Sequence, residues 1–125
     1  MDLNMAVLLV DDFATMRRIL KNILTQIGFN NIYEADDGKS ALKLLKNQKI
    51  DLIMCDWNMP IMNGLDLLNV VRGDDALKEI PFVMVTAEAQ KENIIQAVQA
   101  GVNNYVVKPF TTETITQKLE KVFGS

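Results

Sequence analysis

The stretch Val7–Phe13, VLLVDDF, is a run of four apolar residues that ends in two adjacent aspartates. A short apolar run that contains β-branched residues is typical of a strand buried on both faces of a parallel sheet. Two neighbouring carboxylates repel each other, and each one costs free energy to remove from water. The stretch therefore predicts a buried strand whose end carries negative charge that another group must compensate.

Similar apolar runs recur along the chain and alternate with amphipathic helical patterns. After the first run, apolar residues from Met16 to Ile27 recur at spacings of three and four, and Gly28 is placed to end that helix as a left-handed cap. Five runs, each followed by such a pattern, predict an α/β fold: a doubly wound, flavodoxin-like parallel sheet with five helices on its two faces. The predicted strands are Val7–Val10, Ile32–Ala35, Leu52–Cys55, Phe82–Val85 and Tyr105–Val107.

Composition excludes several classes of function. The 125 residues suit one domain over 1–125, and the net charge of −3 with scattered basic residues argues against a nucleic-acid partner. The absence of histidine excludes Ser–His–Asp catalysis and histidine-ligated zinc. No apolar run approaches the roughly 20 residues that span a membrane, and the N-terminus lacks a signal-peptide pattern. We therefore expect a cytoplasmic protein without a membrane partner, in which the single cysteine, Cys55, is a buried hydrophobic residue.

Polar side chains follow four of the five predicted strands. Asp11 and Asp12 follow the first strand, Asp56 the third, Thr86 the fourth and Lys108 the fifth. Because ligands of open α/β sheets bind at the carboxyl ends of the strands, we expect these side chains to lie together. Each one singly has an ordinary alternative: an aspartate before a helix is commonly an N-cap, a threonine a cap or turn residue, and a lysine a surface residue.

The combination of these side chains indicates phosphoryl chemistry. Several carboxylates in one pocket favour a hard divalent cation, and Mg²⁺ typically takes one or two carboxylates plus a phosphate. A lysine and a threonine hydroxyl beside the cation can hold phosphoryl oxygens. A carboxylate can itself be the nucleophile and form an aspartyl phosphate. Asp56 is the candidate, since it stands alone after the central run while Asp11 and Asp12 flank it as metal ligands.

The motifs VDDF, DWNMPIMNG, MVTAEA and YVVKPF resemble those of the response-regulator receiver family, most of all its single-domain chemotaxis members. The resemblance covers about Val7 to Phe123 and implies the strand order 2-1-3-4-5. It implies that Asp56 is the phosphoacceptor. Mg²⁺ would be bound by four groups, namely Asp11 (mainly through water and charge), Asp12, Asp56 and the backbone carbonyl of Asn58.

The resemblance also implies roles for residues around the acceptor. Lys108 would contact the phosphoryl group, and the peptide bond before Pro109 is expected to be cis. Thr86 would hydrogen-bond the phosphoryl group on activation, and Tyr105 would then move from an exposed to a buried position. The rate of acyl-phosphate hydrolysis would be tuned at two further positions, Asn58 and Glu88.

The partners that the family implies are a sensor histidine kinase as phosphodonor, a phosphatase and the flagellar motor switch protein. The protein would be a monomer that promotes only its own phosphorylation and dephosphorylation. Gln90 stands where a lysine is usual and Val98 where an alanine is usual, and overfilling a tight site costs about 1–3 kcal/mol. An alternative therefore stays open: a phosphate-sink receiver that does not bind the motor. The implied partner face consists of Ala89, Gln90, Ile94, Val98, Val102, Tyr105 and Lys118.

Two other classes of protein share part of this pattern. A flavodoxin-like redox carrier would place the FMN phosphate in the first loop, where Asp11 and Asp12 would repel it. A phosphatase with an aspartate nucleophile would need a second aspartate two positions later as general acid, and this chain has Asn58 there. Both classes fit the residues less well than a receiver does.

Overall fold

The computed structural model describes residues 1–87 and 90–124, and within them five parallel strands alternate with five helices. The strand order is β2-β1-β3-β4-β5, which confirms the predicted fold class and order. Strands β4 and β5 are each one residue longer than predicted. The elements are β1 Val7–Val10, α1 Ala14–Ile27, β2 Ile32–Ala35, α2 Gly38–Asn47, β3 Leu52–Cys55, α3 Gly64–Arg72, β4 Phe82–Thr86, α4 Lys91–Gln99, β5 Asn104–Val107 and α5 Thr112–Phe123.

The sheet separates two hydrophobic cores, because successive side chains of a strand point to opposite faces. Alternate residues of β1 illustrate this: Leu8 lies in the core covered by α2, α3 and α4, while Leu9 lies in the core covered by α1 and α5. Strands β1, β3 and β4 are buried along their whole length, whereas the edge strands β2 and β5 are partly exposed. The central strands are therefore held firmly, and so are the residues that directly follow them.

Cys55, the last residue of β3, is fully buried, as the sequence predicted. Burial raises the pKa of its thiol well above the usual range, and the negative charges of Asp56 and Asp11 raise it further. A thiol that stays protonated is a poor nucleophile. The residue therefore packs as a small hydrophobic side chain.

Local signals in the sequence define several helix ends. Asp37 caps α2 by accepting a hydrogen bond from Ser40 N at 2.7 Å, and Asn63 and Asp66 form a capping box at the start of α3. Gly28 ends α1, as predicted, and its φ of 126° is positive. This φ is larger than that of the left-handed helical conformation, so the predicted left-handed cap is wrong in its detailed geometry. Among the described helices, none is long and apolar enough to cross a membrane.

Arg72, the last residue of α3, joins three segments at the amino-terminal edge of the sheet. Its guanidinium donates hydrogen bonds to the backbone oxygens of Gly101 (2.9 and 3.0 Å) and Ile80 (2.7 Å) and to Asn103 Oδ1 (2.8 Å). Gly101 has a φ of 96°, and a Cβ there would lie 3.1 Å from Arg72 Nε. Glycine is therefore needed at this position for both its backbone conformation and its lack of a side chain.

Ile61, in the loop between β3 and α3, combines two unusual properties. Its φ is 69°, which makes it the single non-glycine residue with positive φ in the described part of the chain. Its side chain is also fully exposed. A β-branched residue in this backbone region is strained, and here no buried contact offsets the strain.

Replacing Ile61 with Asn is expected to raise the free energy of unfolding by about 0.5–1 kcal/mol, because Asn tolerates a left-handed backbone. Urea unfolding followed by circular dichroism measures the difference. The control is Ile61→Ala, which removes the same exposed side chain but keeps the strain. Equal stability of the Asn and Ala variants would contradict the assignment of strain to this residue.

Candidate metal and phosphoryl site

The register of the parallel strands places Asp11 and Asp56 side by side at the carboxyl edge of the sheet. Val10 is paired with Cys55, and Asp56 N donates a hydrogen bond to Val10 O at 2.9 Å. Asp11 directly follows β1, and Asp56 directly follows β3. Two residues that are far apart in the sequence thus become neighbours because the strands before them are paired.

Asp11, Asp12 and Asp56 form the acidic cluster. Each of them offers one carboxylate oxygen, and these oxygens all lie within 4.8 Å of one another. Asp11 and Asp56 are buried, whereas Asp12 is exposed. The cluster is therefore open to solvent on the side of Asp12.

Lys108, which follows β5, supplies positive charge to this cluster. Its Nζ lies 3.3 Å from Asp11 Oδ2 and 3.6 Å from Asp56 Oδ2, and its side chain is only 17 % exposed. The alternative of an ordinary surface lysine is therefore wrong. The peptide bond between Lys108 and Pro109 is cis, as expected from the resemblance.

Asp56 occupies an environment that disfavours its charge. The pKa of its carboxyl is raised above the ordinary 3.8, mainly because the group is buried. The charge of Lys108 opposes this increase and the charge of Asp11 adds to it. Hydrogen bonds from the Thr86 hydroxyl and the Trp57 N–H also lower the pKa. Its Oδ1 is buried and accepts no hydrogen bond from any residue in the described ranges. A buried carboxylate oxygen without a donor is an available ligand, so the cluster fits a hard cation such as Mg²⁺.

The N-cap alternative for Asp11 and Asp12 is wrong. The N-cap of α1 is Phe13, whose side chain makes no capping hydrogen bond, while Phe13 N donates to Asp11 Oδ1 at 2.9 Å. Arg17 Nη1 donates to the backbone oxygen of Asp11 at 2.5 Å and its Nε pairs with Glu34 at 3.3 Å. The carboxylate and the carbonyl of Asp11 are thus both held in place.

Sequence reasoning missed two residues that shape this site. Arg17 lies within the predicted first helix, and helical spacing does not reveal its contact with the preceding loop. Gly64 had no predicted role beyond its place in the motif DWNMPIMNG. A Cβ at Gly64 would collide with the backbone oxygen of Asp56 and lie 2.8 Å from Met84 Sδ. The glycine of the motif DWNMPIMNG is the sequence feature from which this close approach could have been predicted.

The residues predicted to act in switching are placed as follows. Thr86 is fully buried at the end of β4, and its backbone oxygen accepts a hydrogen bond from Lys108 N at 2.9 Å. Tyr105 is half-buried and packs against the core beneath α4. Asn58 is exposed. The remaining predicted positions, Glu88 and Ala89, lie outside the described residues.

Five residues of the implied partner face line one groove of about 420 Å³ between α4, β5 and α5. Val98 is prominent in it, with 61 % of its surface exposed. Gln90 is exposed at the N-cap of α4 and makes no side-chain capping hydrogen bond. The five lining residues are Ile94, Val98, Val102, Tyr105 and Lys118.

The chain belongs to the response-regulator receiver family. The family model for the response regulator receiver domain matches residues 7–120, which is most of the chain. The match spans the acidic cluster and Lys108, so the motifs quoted above lie within it.

Chemotaxis proteins are among its relatives. The chain is 58 % identical over 120 residues to the chemotaxis protein CheY-3 of Vibrio cholerae, which covers 96 % of this chain and 92 % of that protein. It is 56 % identical over 119 residues to the chemotaxis protein CheY of Pseudomonas aeruginosa, covering 95 % and 96 %. The solved structure of the chemotaxis protein CheY4 of Vibrio cholerae has a TM-score of 0.88 at 32 % identity, covering 95 % of this chain and 98 % of that one.

Asp56→Asn is expected to stabilise the metal-free protein at neutral pH by about 1–3 kcal/mol, the scale of one poorly satisfied buried polar group. Because folding raises the pKa of Asp56, the native state holds its proton more tightly, and stability falls as pH rises through the raised pKa. The gain should therefore shrink as pH falls towards 4. Urea unfolding at several pH values in a chelating buffer measures this gain.

Magnesium provides the matching control. The cation should stabilise the wild type more than Asp56→Asn, because the variant lacks one carboxylate ligand. A variant that is less stable than the wild type at pH 7 without metal would contradict the inferred repulsion in the acidic cluster.

Proposed function

We propose that this protein is a single-domain chemotaxis response regulator, over residues 1–125, that is switched by phosphorylation of Asp56. The observation that carries the proposal is the convergence of the acidic cluster and Lys108 at one edge of the sheet, in a chain of the receiver family. The sequence similarity to chemotaxis proteins supports the proposed role in chemotaxis.

The proposed ligands for Mg²⁺ are Asp12, Asp56 and the backbone carbonyl of Asn58, with Asp11 acting through water and charge. When bound, the cation would neutralise negative charge that develops on the phosphoryl oxygens. Two observations support this assignment: the buried Oδ1 of Asp56 accepts no hydrogen bond from the described residues, and the cluster faces solvent on the side of Asp12.

The proposed reaction is a displacement at phosphorus with Asp56 as nucleophile and a kinase phosphohistidine as donor. A carboxylate oxygen of Asp56 forms a P–O bond while the P–N bond breaks, and the released imidazole takes up the bonding pair and a proton. Lys108 Nζ lies 3.6 Å from Asp56 Oδ2, which supports its proposed contact with the incoming phosphoryl oxygens. Asn58 and Glu88 are the proposed positions that tune hydrolysis of the product, alone or with a phosphatase.

We assign the switch to Thr86 and Tyr105. Thr86 is buried at the end of β4 beside Asp56, so its hydroxyl is near the place where new negative charge would appear. Tyr105 is half-buried on the neighbouring strand, paired in register with Met84. Movement of the hydroxyl towards a phosphoryl group would vacate space that the Tyr105 ring can fill.

The proposed output is binding of the flagellar motor switch protein by the monomer. The groove between α4, β5 and α5 supports this, because five of the seven predicted partner residues, Tyr105 among them, line it. Val98 and Gln90 favour the alternative, a phosphate sink without motor binding. The exposed Val98 adds bulk within the groove, and Gln90 lacks the charge of a lysine.

Phosphorylation is tested by intact-mass measurement after incubation with acetyl phosphate and Mg²⁺. One added phosphoryl group is expected for the wild type, and none for Asp56→Asn or in the presence of a chelator. Asp75→Asn, which makes the same change at a fully exposed aspartate in the loop between α3 and β4, serves as a control that should react normally. No mass gain in the wild type, under conditions in which another receiver reacts, would overturn the proposed function.

The switch is tested with Thr86→Ala, which should accept phosphate but lose most of the phosphate-dependent gain in partner affinity. Binding of the phosphorylated proteins to the motor switch protein is measured by fluorescence anisotropy, with each unphosphorylated protein as reference. A full gain in the variant would contradict the role of Thr86. Absence of binding by the phosphorylated wild type, restored by Val98→Ala with Gln90→Lys, would favour the phosphate sink.

A further inference from the structure

A second groove shares no lining residue with the groove between α4, β5 and α5. It runs between α2 and the loop that follows β3, and its volume is about 700 Å³. We call it the α2 groove. Its apolar lining comes from four residues, Leu42, Pro60, Ile61 and Met62. Groove and pocket volumes of about 300–1,000 Å³ are typical of sites that bind ligands.

The two walls of the α2 groove are closely packed against each other. Met62 lies against the backbone of α2 at Gly38, where a Cβ would be only 2.5 Å from Met62 Sδ. The glycine therefore lets the loop approach the helix. The groove is a product of this tight contact and is present in the folded chain without any rearrangement.

One wall of the groove carries a row of positive charge. Lys39, Lys43 and Lys46 are exposed, and their spacing of four and three residues puts them on one face of α2. None of the three forms a salt bridge with any residue in the described part of the chain. Helix α2 itself contains no acidic residue, although the chain as a whole has a net charge of −3.

The acidic residue that lines the groove, Asp37, is already engaged. Its carboxylate accepts the capping hydrogen bond from Ser40 N, and this bond holds its pKa below the ordinary value. The charge of Lys39 also lowers this pKa, but Asp37 forms no salt bridge with any of the three lysines. All three lysines are exposed, and Lys39 and Lys46 are separated along the helix by roughly 10 Å.

Ile61 forms the opposite rim and is the most exposed large hydrophobic residue in the described ranges. Its strained backbone holds this side chain in solvent at the mouth of an apolar groove. Strained residues are concentrated at binding and switching sites, where the surrounding structure maintains them. The strain and the exposure have a common explanation if a partner covers Ile61.

We propose that the α2 groove binds an acidic amphipathic segment of a partner protein. Apolar side chains of the segment would contact Leu42, Ile61 and Met62, and its carboxylates would pair with the three lysines. A row of charge over two helical turns matches a peptide better than a single small anion. The concave shape matches an inserted segment better than a flat membrane surface.

The segment would bind independently of the phosphoryl chemistry. The groove contains no member of the acidic cluster, and the partner face lies on other helices. The inference therefore goes beyond the proposed function, and Asp56→Asn should bind the same segment with unchanged affinity.

The probe is a synthetic 16-residue helical peptide with leucines at helical spacing on one face and glutamates on both flanks. Binding is measured by fluorescence anisotropy, and its location by amide chemical shifts of the labelled protein. A peptide with lysine in place of every glutamate is the matched control. We expect the acidic peptide to bind with shifts confined to α2 and the loop 60–62, and the basic peptide to bind at least about tenfold more weakly.

Two protein variants test the basic wall and the apolar rim of the groove. Binding should be at least about tenfold weaker in the triple variant Lys39→Glu, Lys43→Glu, Lys46→Glu. It should be several-fold weaker in Ile61→Asn, a variant that we expect to fold well. Lys121→Glu reverses one charge at an exposed lysine near the end of α5, away from the groove, and this control should have no effect. Raising the salt concentration should weaken binding by the wild type.

Three results would overturn the proposal. The first is the absence of acidic-peptide binding at millimolar concentration by a protein whose spectrum shows it to be folded. The second is binding that maps to the groove between α4, β5 and α5 or that the triple lysine variant retains. The third is binding of the wild type to mixed vesicles of phosphatidylcholine and phosphatidylglycerol that is as tight as its binding to the acidic peptide. This result would indicate a membrane surface as the partner instead.

Discussion

The repulsion among Asp11, Asp12 and Asp56 is the unfavourable interaction that the buried strands of this protein must offset. Three carboxylates lie within 4.8 Å of one another, and one ammonium group, on Lys108, compensates part of their charge. Such an arrangement disfavours folding locally, so the free energy that maintains it must come from elsewhere. It comes from the buried central strands, whose ends hold the carboxylates in place.

The register of the parallel strands holds these charged side chains at one edge of the sheet. Asp11 and Lys108 are 97 positions apart in the sequence, yet their side chains are in contact because both follow strands that end at the same edge. Each strand carries its own hydrophobic anchor in two cores. A charge at the end of a buried strand therefore cannot move away from its neighbour, and the negative potential stays available for a cation.

The two grooves of the protein differ in chemistry and in their relation to this site. The groove between α4, β5 and α5 borders Tyr105, so a change near Asp56 and Thr86 has a short physical route to it. The α2 groove is apolar with a basic wall, and its loop is held against Gly38 by close packing. Under the two proposals, the first groove would carry a signal that depends on phosphorylation, and the second would bind its partner constitutively.

Sequence patterns predicted the five strands, the burial of Cys55 and the edge at which Asp11, Asp56 and Lys108 meet, and the family resemblance predicted the strand order. Hydrophobic periodicity reports burial directly, and strand ends of a parallel sheet share one edge, so these features need no knowledge of distant contacts. Strand ends were shifted by a residue at β4 and β5, where pairing with a neighbour extends the strand.

Contacts between side chains of different elements could not be predicted from the sequence and became known from the folded structure. Arg17 binds the backbone of Asp11, Arg72 joins α3 to the loop before β5, and Gly64 leaves room for the carbonyl of Asp56. In the sequence, Ile61 is an ordinary loop residue, and its positive φ is seen only in the folded structure. These features depend on the distances between segments packed against one another, and a pattern within a single segment carries no information about such distances.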